Sequence, residues 1–260
     1  MIDIQNSQDF RDCPIQKVGV KNVFYPITIF MKYDGGIQTT TAKISMFVNL
    51  PKESKGTHMS RFIETLNEYH QSINISNLVA LNKTLIKRLE AESSYTELQC
   101  KYFLRKKAPV SKLVSLMGYD CAFFCKIQKG EYQQSLEVNI PVTSVCPCSK
   151  AISEVGAHNQ RGNVKVTVLF EDIVWIEDIV ELVEKNVGCD VYSLLKRPDE
   201  KFVTEKAFNN PMFVEDMARE IYLKIRKLEN VLDCSVEAEN FESIHNHNAY
   251  AFIDFYNKGE

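Results

Sequence analysis

Two thiols, an imidazole, an ammonium group, a guanidinium and a carboxylate crowd into the stretch from Pro141 to Gly162, which holds Cys146-Pro147-Cys148-Ser149-Lys150, Glu154 and Gly156-Ala157-His158-Asn159-Gln160-Arg161. Thiolate, imidazole and carboxylate groups bind divalent transition metals, and a catalytic ion keeps one position for water where a structural ion is closed by protein. Cys146 and Cys148 are two residues apart, so an extended segment aims both side chains to one side. His158 reaches the same point if the residues between fold back. A Cys-x-Cys is a weak signal on its own, but the same half of the chain offers further donors. Glu200 lies in the polar loop Lys196 to Lys201, and Glu242, His245 and His247 lie in the turn Phe241 to Asn248. An ion held by a thiolate, imidazoles and a carboxylate, with a water position left open, lowers the pKa of bound water to about 7. The chemistry these residues point to is metal-assisted hydrolysis.

Two other clusters have a functional and a plain structural reading each. Glu215 stands in the first turns of a helix expected to start at Pro211, where a carboxylate gains from the helix N-terminus. It is either a solvent-facing glutamate or a bidentate acceptor for an amidine-bearing heterocycle. Lys55-Gly56-Thr57-His58-Met59-Ser60-Arg61 precedes a helix, so it is either a simple cap or a site for phosphate.

The elements that must position these groups follow from periodicity. Val18 to Lys32 and Ile37 to Leu50 read as a long hairpin about Asp34-Gly35-Gly36. Phe62, Ile63, Leu66 and Tyr69, then Leu78, Leu81, Leu85 and Leu89, fall at helical spacing. Tyr95 to Lys107 and Tyr119 to Gln128 form another strand pair. The second half repeats the order: Leu136, Val138, Ile140 and Val142 alternate, as do Val164, Val166, Val168 and Phe170. A helix with Ile176, Ile179, Val180 and Val183 on one face follows. Asn210-Pro211 reads as N-cap and first-turn proline of another, with Phe213, Met217, Ile221, Ile225 and Leu228 on its apolar side. Strands Val231 to Asn240 and Asn248 to Tyr256 close the chain. Strand-strand-helix-helix-strand-strand thus occurs twice, divided near Lys129-Gly130 into modules 1–129 and 130–260. Open sheet edges invite pairing, and closure by oligomerisation into a barrel solves that problem.

The bulk numbers fit a folded enzyme. The chain has 260 residues, 45% of them hydrophobic, and a formal net charge of -3 from 31 basic and 34 acidic residues. That balance gives no general attraction to nucleic acid or to an anionic membrane. Met1 to Val18 lacks the apolar core of an export signal or a membrane span, so a cytoplasmic protein with reduced thiols is expected. Of the eight cysteines, Cys13, Cys100, Cys189 and Cys234 are isolated and read as small buried hydrophobes. Cys121 and Cys125 read as strand core.

The Cys-Pro-Cys-Ser-Lys and Gly-Ala-His-Asn-Gln-Arg combination occurs here with Leu194-Leu195-Lys196-Arg197-Pro198-Asp199-Glu200, Val203-Thr204-Glu205 and Asn210 to Asp216. Together they resemble the prokaryotic GTP cyclohydrolase type IB family over most of the chain from about Val18. The resemblance implies an α+β tunnelling fold, two tandem antiparallel ββααββ modules per subunit, and a homotetramer with sites at subunit interfaces. It implies conversion of GTP and water to formate and 7,8-dihydroneopterin triphosphate, the entry to folate synthesis, with one divalent ion (zinc, manganese or iron) per site. The implied metal ligands are Cys146, His158, Glu200 and His245, with Glu215 anchoring the guanine. Cys148 is placed for proton transfer, with His158 as ligand or acid/base and Glu242 assisting at the metal. Lys55, His58, Arg61 and Arg161 are candidates for the triphosphate, the first three from a neighbouring subunit. An archaeal branch resembling this family gives a cyclic-phosphate product. The related nitrile reductases use NADPH, whose binding pattern is missing here. The non-enzymatic alternative is an inert structural metal-binding module.

Overall fold

The computed structural model describes residues 5, 7–33, 35–69 and 77–254. Its contacts divide the chain into two compact units, Met1–Lys101 with Ala122–Leu136, and Tyr102–Cys121 with Glu137–Glu260. Strands β3 (Ser93–Lys107), β4 (Val114–Gln128) and β5 (Glu131–Val145) contribute residues to both.

In the first unit, β1 (Ile15–Phe30) pairs antiparallel with β2 (Ile37–Leu50), from Phe30 opposite Ile37 to Ile15 opposite Leu50. β2 then pairs with β3, from Ala42 opposite Cys100 to Val48 opposite Ser94. Alternation along β2 buries Ala42, Ile44, Met46, Val48 and Leu50, as a strand with one covered face requires. Helices α1 (Met59–Glu68) and α2 (Leu78–Leu89) turn Phe62, Thr65 and Leu66, and Leu78, Leu81 and Leu85, inward. The strand order in this unit is β1-β2-β3-β4-β5. The β4–β5 turn falls at Lys129-Gly130, both with positive φ.

The second unit continues through α3 (Pro147–Ile152), β6 (Asn159–Phe170), α4 (Ile176–Lys185), β7 (Cys189–Asp190), α5 (Arg197–Asn209), α6 (Val214–Ile225), β8 (Val231–Asn240) and β9 (Ala249–Ile253). Its strands run β3-β4-β5-β6-β8-β9, with β7 paired to β5. Leu136, Val138, Ile140 and Val142 of β5 and Val164, Val166 and Val168 of β6 are buried, as their alternation predicts. The single tryptophan, Trp175, is the extended N-cap residue of α4, followed by the inward Ile176, Ile179, Val180 and Val183.

The strands and four expected helices form close to where periodicity puts them; residues 255 and 256, assigned to the last strand, lie outside the described residues. Four readings are corrected. The Lys196 to Lys201 loop is the start of a helix, α5, with Pro198 in its first turn. Asn210 does not cap the following helix. It is the C-cap of α5, its side chain donates to the Val187 and Gly188 carbonyls, and α6 begins only after Phe213. Cys146 and Cys148 are not on an extended segment, because Pro147 turns the chain into α3 directly after Cys146. Cys13, read as a small buried hydrophobe, is exposed, while Cys100, Cys121, Cys125, Cys189 and Cys234 are buried, and all eight cysteines are free thiols. Among the described residues no helix is long and apolar enough to cross a membrane.

Candidate functional site

The end of β5 delivers the first donor. Val145 is the last buried residue of the strand, and proline at the first helical position of α3, with φ preset for a helix, fixes Cys146 as N-cap. The Cys146 Sγ accepts from the Ser149 N–H at 3.4 Å, doing the work that Ser or Asp does at most N-caps. The chain then loops through Gly156, at φ +76, and returns so that the Cys146 N–H donates to the His158 carbonyl at 3.1 Å. The His158 N–H donates in turn to Ser149 Oγ at 3.3 Å. Cys146 and His158, twelve positions apart in the chain, are thereby joined through backbone at the mouths of β5 and β6.

The imidazole is oriented from behind. His158 Nδ1 lies 3.0 Å from Gln160 Oε1, 3.5 Å from Ser243 Oγ and 3.9 Å from Glu242 Oε2. Gln160 is almost fully buried, and its Nε2 donates to Ser144 Oγ at 3.3 Å and Glu242 Oε1 at 3.4 Å. With the amide nitrogen so engaged, its oxygen faces the ring, Nδ1 carries the proton, and Nε2 keeps a lone pair. Glu242 arrives because β6 and β8 approach closely. Gly162 is opposite Asn240, and a Cβ on that glycine would lie 2.5 Å from Asn240 Oδ1 and 2.7 Å from the Glu239 carbonyl. The Phe241 N–H continues the ladder to the Arg161 carbonyl, at 2.9 Å.

The structure thus brings Glu242 to the His158 ring and Cys146 to the His158 backbone, with Ser149, Gln160 and Ser243 holding the arrangement. Sequence reasoning missed Gln160, although a polar residue in the inward register of Gly162 and Val164 is a readable signal. Among the described residues no group of three His, Cys, Asp or Glu side chains is close enough to hold an ion. Glu200 is exposed on the first turn of α5, and His245 is exposed and stacked on His247 with ring centroids 5.0 Å apart. Cys148 is an exposed thiol on α3, Arg161 points away from the buried face of β6, and Glu215 is exposed in the first turn of α6 beside the buried Val214. In the first unit, His58 is the extended N-cap residue of α1 and Lys55 is exposed. Arg61 Nη1 donates to the Arg88 carbonyl at 2.9 Å, tying α1 to the end of α2.

Around α5 and β7 lies a buried ionic layer. Lys106 Nζ is 2.7 Å from Glu184 Oε1 and 2.9 Å from Asp190 Oδ2, and Lys206 Nζ is 2.9 Å from Asp190 Oδ1. Tyr119 donates to Glu184 at 2.7 Å. Burial raises the Glu184 carboxyl, and the Lys106 charge does not fully offset it. Burial acts on Asp190 too, but there Lys106 together with hydrogen bonds from Lys206 and Tyr192 prevails and takes it down to about 2. Asp190 and Cys189 pair with Val142 and Thr143 of β5, just before the Cys146 turn. Lys150 Nζ donates to the Phe208 carbonyl and lies over that ring, joining α3 to the last turn of α5.

The family model for type I GTP cyclohydrolase folE2 matches residues 1–251. The chain is 53% identical over 252 residues to the GTP cyclohydrolase FolE2 of Magnetococcus marinus, covering 97% of this chain and 95% of that one. The chain belongs to the type I GTP cyclohydrolase FolE2 family. The FolE2 protein of Geotalea uraniireducens is 52% identical over 254 residues, covering 98% of this chain and 93% of the relative. Solved structures share the fold at much lower identity. The uricase of Arthrobacter globiformis superposes with a TM-score of 0.54 at 8% identity, covering 94% of this chain and 95% of the other. A uricase named for Bacillus fastidious gives 0.56 at 7%, covering 92% of each. The mixed α+β architecture with antiparallel strands is therefore common to FolE2 and these uricases.

Whether the residues fit a metal ion can be judged from the Cys146–His158 pair. A cysteine sulfur that already accepts a backbone N–H, and ligates on losing its proton, and an imidazole whose far nitrogen is hydrogen-bonded are the donors that transition metals take. The pair fits.

Proposed function

We propose that this FolE2 protein converts GTP and water to formate and 7,8-dihydroneopterin triphosphate, the first step of folate biosynthesis. The observation that carries the reading is the preorganised Cys146–His158–Glu242 group in a chain matched to the family over 251 residues. The imidazole ring of guanine must be opened by water at C8 with a proton delivered to N7. Breaking C8–N9 and adding a second water releases formate, and rearrangement of the ribose and re-closure with loss of water complete the pterin. A divalent ion (zinc, manganese or iron), held by Cys146, His158, Glu200 and His245, supplies hydroxide near neutral pH when bound.

The side chains divide the remaining tasks. His158, its Nδ1 fixed by Gln160, presents Nε2 either to the ion or to the proton in flight, and Glu242 backs the same ring. Cys148, free and exposed on α3, moves protons at the opening ring. Glu215 takes the 2-amino and N3 edge of guanine with both oxygens. Lys55, His58, Arg61 and Arg161 meet the triphosphate, the first three from a neighbouring subunit. That division requires assembly. We infer two tandem tunnelling-fold modules, 1–129 and 130–260, closing into a β-barrel homotetramer, for which the terminal strands β1 and β9 offer edges that are unpaired among the described residues. Eight free thiols and a net charge of -3 suit a cytoplasmic enzyme that binds neither nucleic acid nor membrane.

The test is to strip the protein of metal, add GTP with zinc, manganese or iron separately, and follow formate and pterin by mass spectrometry. Turnover with at least one ion and a linear triphosphate product is expected. No turnover with any ion overturns the proposal and leaves a structural metal module; a cyclic-phosphate product overturns the assigned chemistry of the last steps.

A further inference from the structure

Glu200 and its neighbour Asp199 differ in every respect but side-chain chemistry. Glu200 is exposed, and among the described residues its carboxylate has no hydrogen-bond or ion-pair partner. A long side chain of that kind samples many rotamers and visits any one point for a small part of the time unless its backbone is held. Asp199 is fully buried. Its Oδ1 accepts from the Val110 and Ser111 N–H groups, both at 2.8 Å, and its Oδ2 accepts from Ser111 Oγ at 2.6 Å and the Lys196 N–H at 2.9 Å.

Only the Lys196 bond is needed to cap α5; the other three fasten the first turn of the helix to the connection between β3 and β4. The far end of α5 is fastened as well, through Lys206 to Asp190 at 2.9 Å and through Asn210 Nδ2 to the Val187 carbonyl at 3.0 Å. Asp190 lies on β7, whose Cys189 pairs with Thr143 of β5, the strand that leads into Cys146. The helix buries only Asp199 and Ala207 fully; polar contacts pin one end to the β3–β4 connection and the other to β7, which pairs with β5, while Ala207 and Val203 pack with Val145, the residue before Cys146. One residue on from Asp199 is a rotation of about 100° round the helix, so the carboxylate that is locked inward sets where the exposed one begins.

We propose that Asp199 is a positioning residue: its four hydrogen bonds fix the α5 backbone from which Glu200 reaches a divalent cation held by Cys146 and His158. This rests on the reading of Glu200 as a ligand, and the experiment separates the two. Cobalt(II) is titrated into the metal-stripped full-length protein, with thiolate-to-cobalt charge-transfer absorption as the readout. Four proteins are compared: native, Asp199→Asn, Glu200→Gln and the double variant. Asn keeps one acceptor oxygen but turns an amide donor toward the donors of Lys196 and Ser111. Asp199→Asn is expected to weaken cobalt binding about 10-fold, the usual size for a second-layer partner. In the Glu200→Gln background the same change is expected to cost less than about twofold, since its effect runs through Glu200. An equal loss in both backgrounds, or none in either, overturns the positioning role while leaving Glu200 a ligand. If Glu200→Gln alone leaves cobalt affinity unchanged, the ligand reading falls and takes this one with it. Should Asp199→Asn fold poorly by circular dichroism, Ser111→Ala removes one of the four bonds. It must then show a smaller loss that again disappears with Glu200→Gln.

Discussion

The two units bury polar groups of different kinds. Among the described residues, the first unit buries Ser45, Thr65, Asn82, Ser93, Ser94 and Thr96, all neutral; the second buries Glu177, Asp190 and Asp199 as well as Ser144, Gln160 and Asn240. Neutral groups satisfy backbone cheaply. A buried carboxylate costs several kcal/mol of solvation unless cations or several donors meet it, so its presence marks where geometry is held at some expense. Among the described residues the buried carboxylates all stand in the unit that carries Cys146, His158 and Glu242, where they tie α4, α5 and β7 to β3 and to the connection that follows it. The first unit reads as scaffold with a basic cluster at its α1 N-terminus, the second as the part built to tolerances.

Removing the anion at the centre of the ionic layer is the harshest way to break this contrast. Asp190→Asn leaves Lys106 and Lys206 short of their shared partner and is expected to destabilise the protein by about 4 kcal/mol, the usual cost of orphaning one side of a buried pair. Urea melts measure it. The sign with pH follows from the lowered carboxyl. The stabilisation is complete above the unfolded value of about 3.9 and is lost as pH falls toward about 2. Melts at falling pH should therefore show a steeper loss in the native protein than in the variant across that window. Next in size, Tyr102→Phe deletes the 2.7 Å bond to Glu177, a carboxylate only 4% exposed, and should cost roughly 2 kcal/mol. The mildest change belongs to the first unit. Asn82 is fully buried, donates to the Leu78 carbonyl at 2.8 Å, and has an Oδ1 with no hydrogen-bond partner among the described residues. Asn82→Leu should shift stability by less than about 1 kcal/mol. A loss there comparable with Asp190→Asn would erase the distinction between the units.

The framework was legible because apolar periodicity reports it: β2, β5 and β6 alternate, and α1, α2 and α4 each carry an inward stripe. What escaped was built from polar contacts. α5 buries only Asp199 and Ala207 fully, so it has no stripe to read, and its first residues, up to Lys201, read as a polar loop. α3 is six residues long, shorter than two helical turns, and only Pro147 announces it. Asn210 has the composition of an N-cap, yet its amide is taken by the Val187 and Gly188 carbonyls, and tertiary partners outweighed local preference. At the site, spacing left the meeting of Cys146 and His158 conditional on a fold-back and the resemblance implied it; Gln160 was legible only as a polar residue in an inward register, and its partners Ser144 and Glu242 come from β5 and from the turn after β8.

The chain has one tryptophan, and it sits at the N-cap of α4, directly before the helix whose Glu184 joins the ionic layer. Indole emission is therefore a private channel to the second unit, because the first contributes no indole of its own. Comparing the fluorescence melt of Trp175 with a circular dichroism melt, which averages over every helix and strand, would show whether the two units come apart at one temperature or two, without attaching any probe.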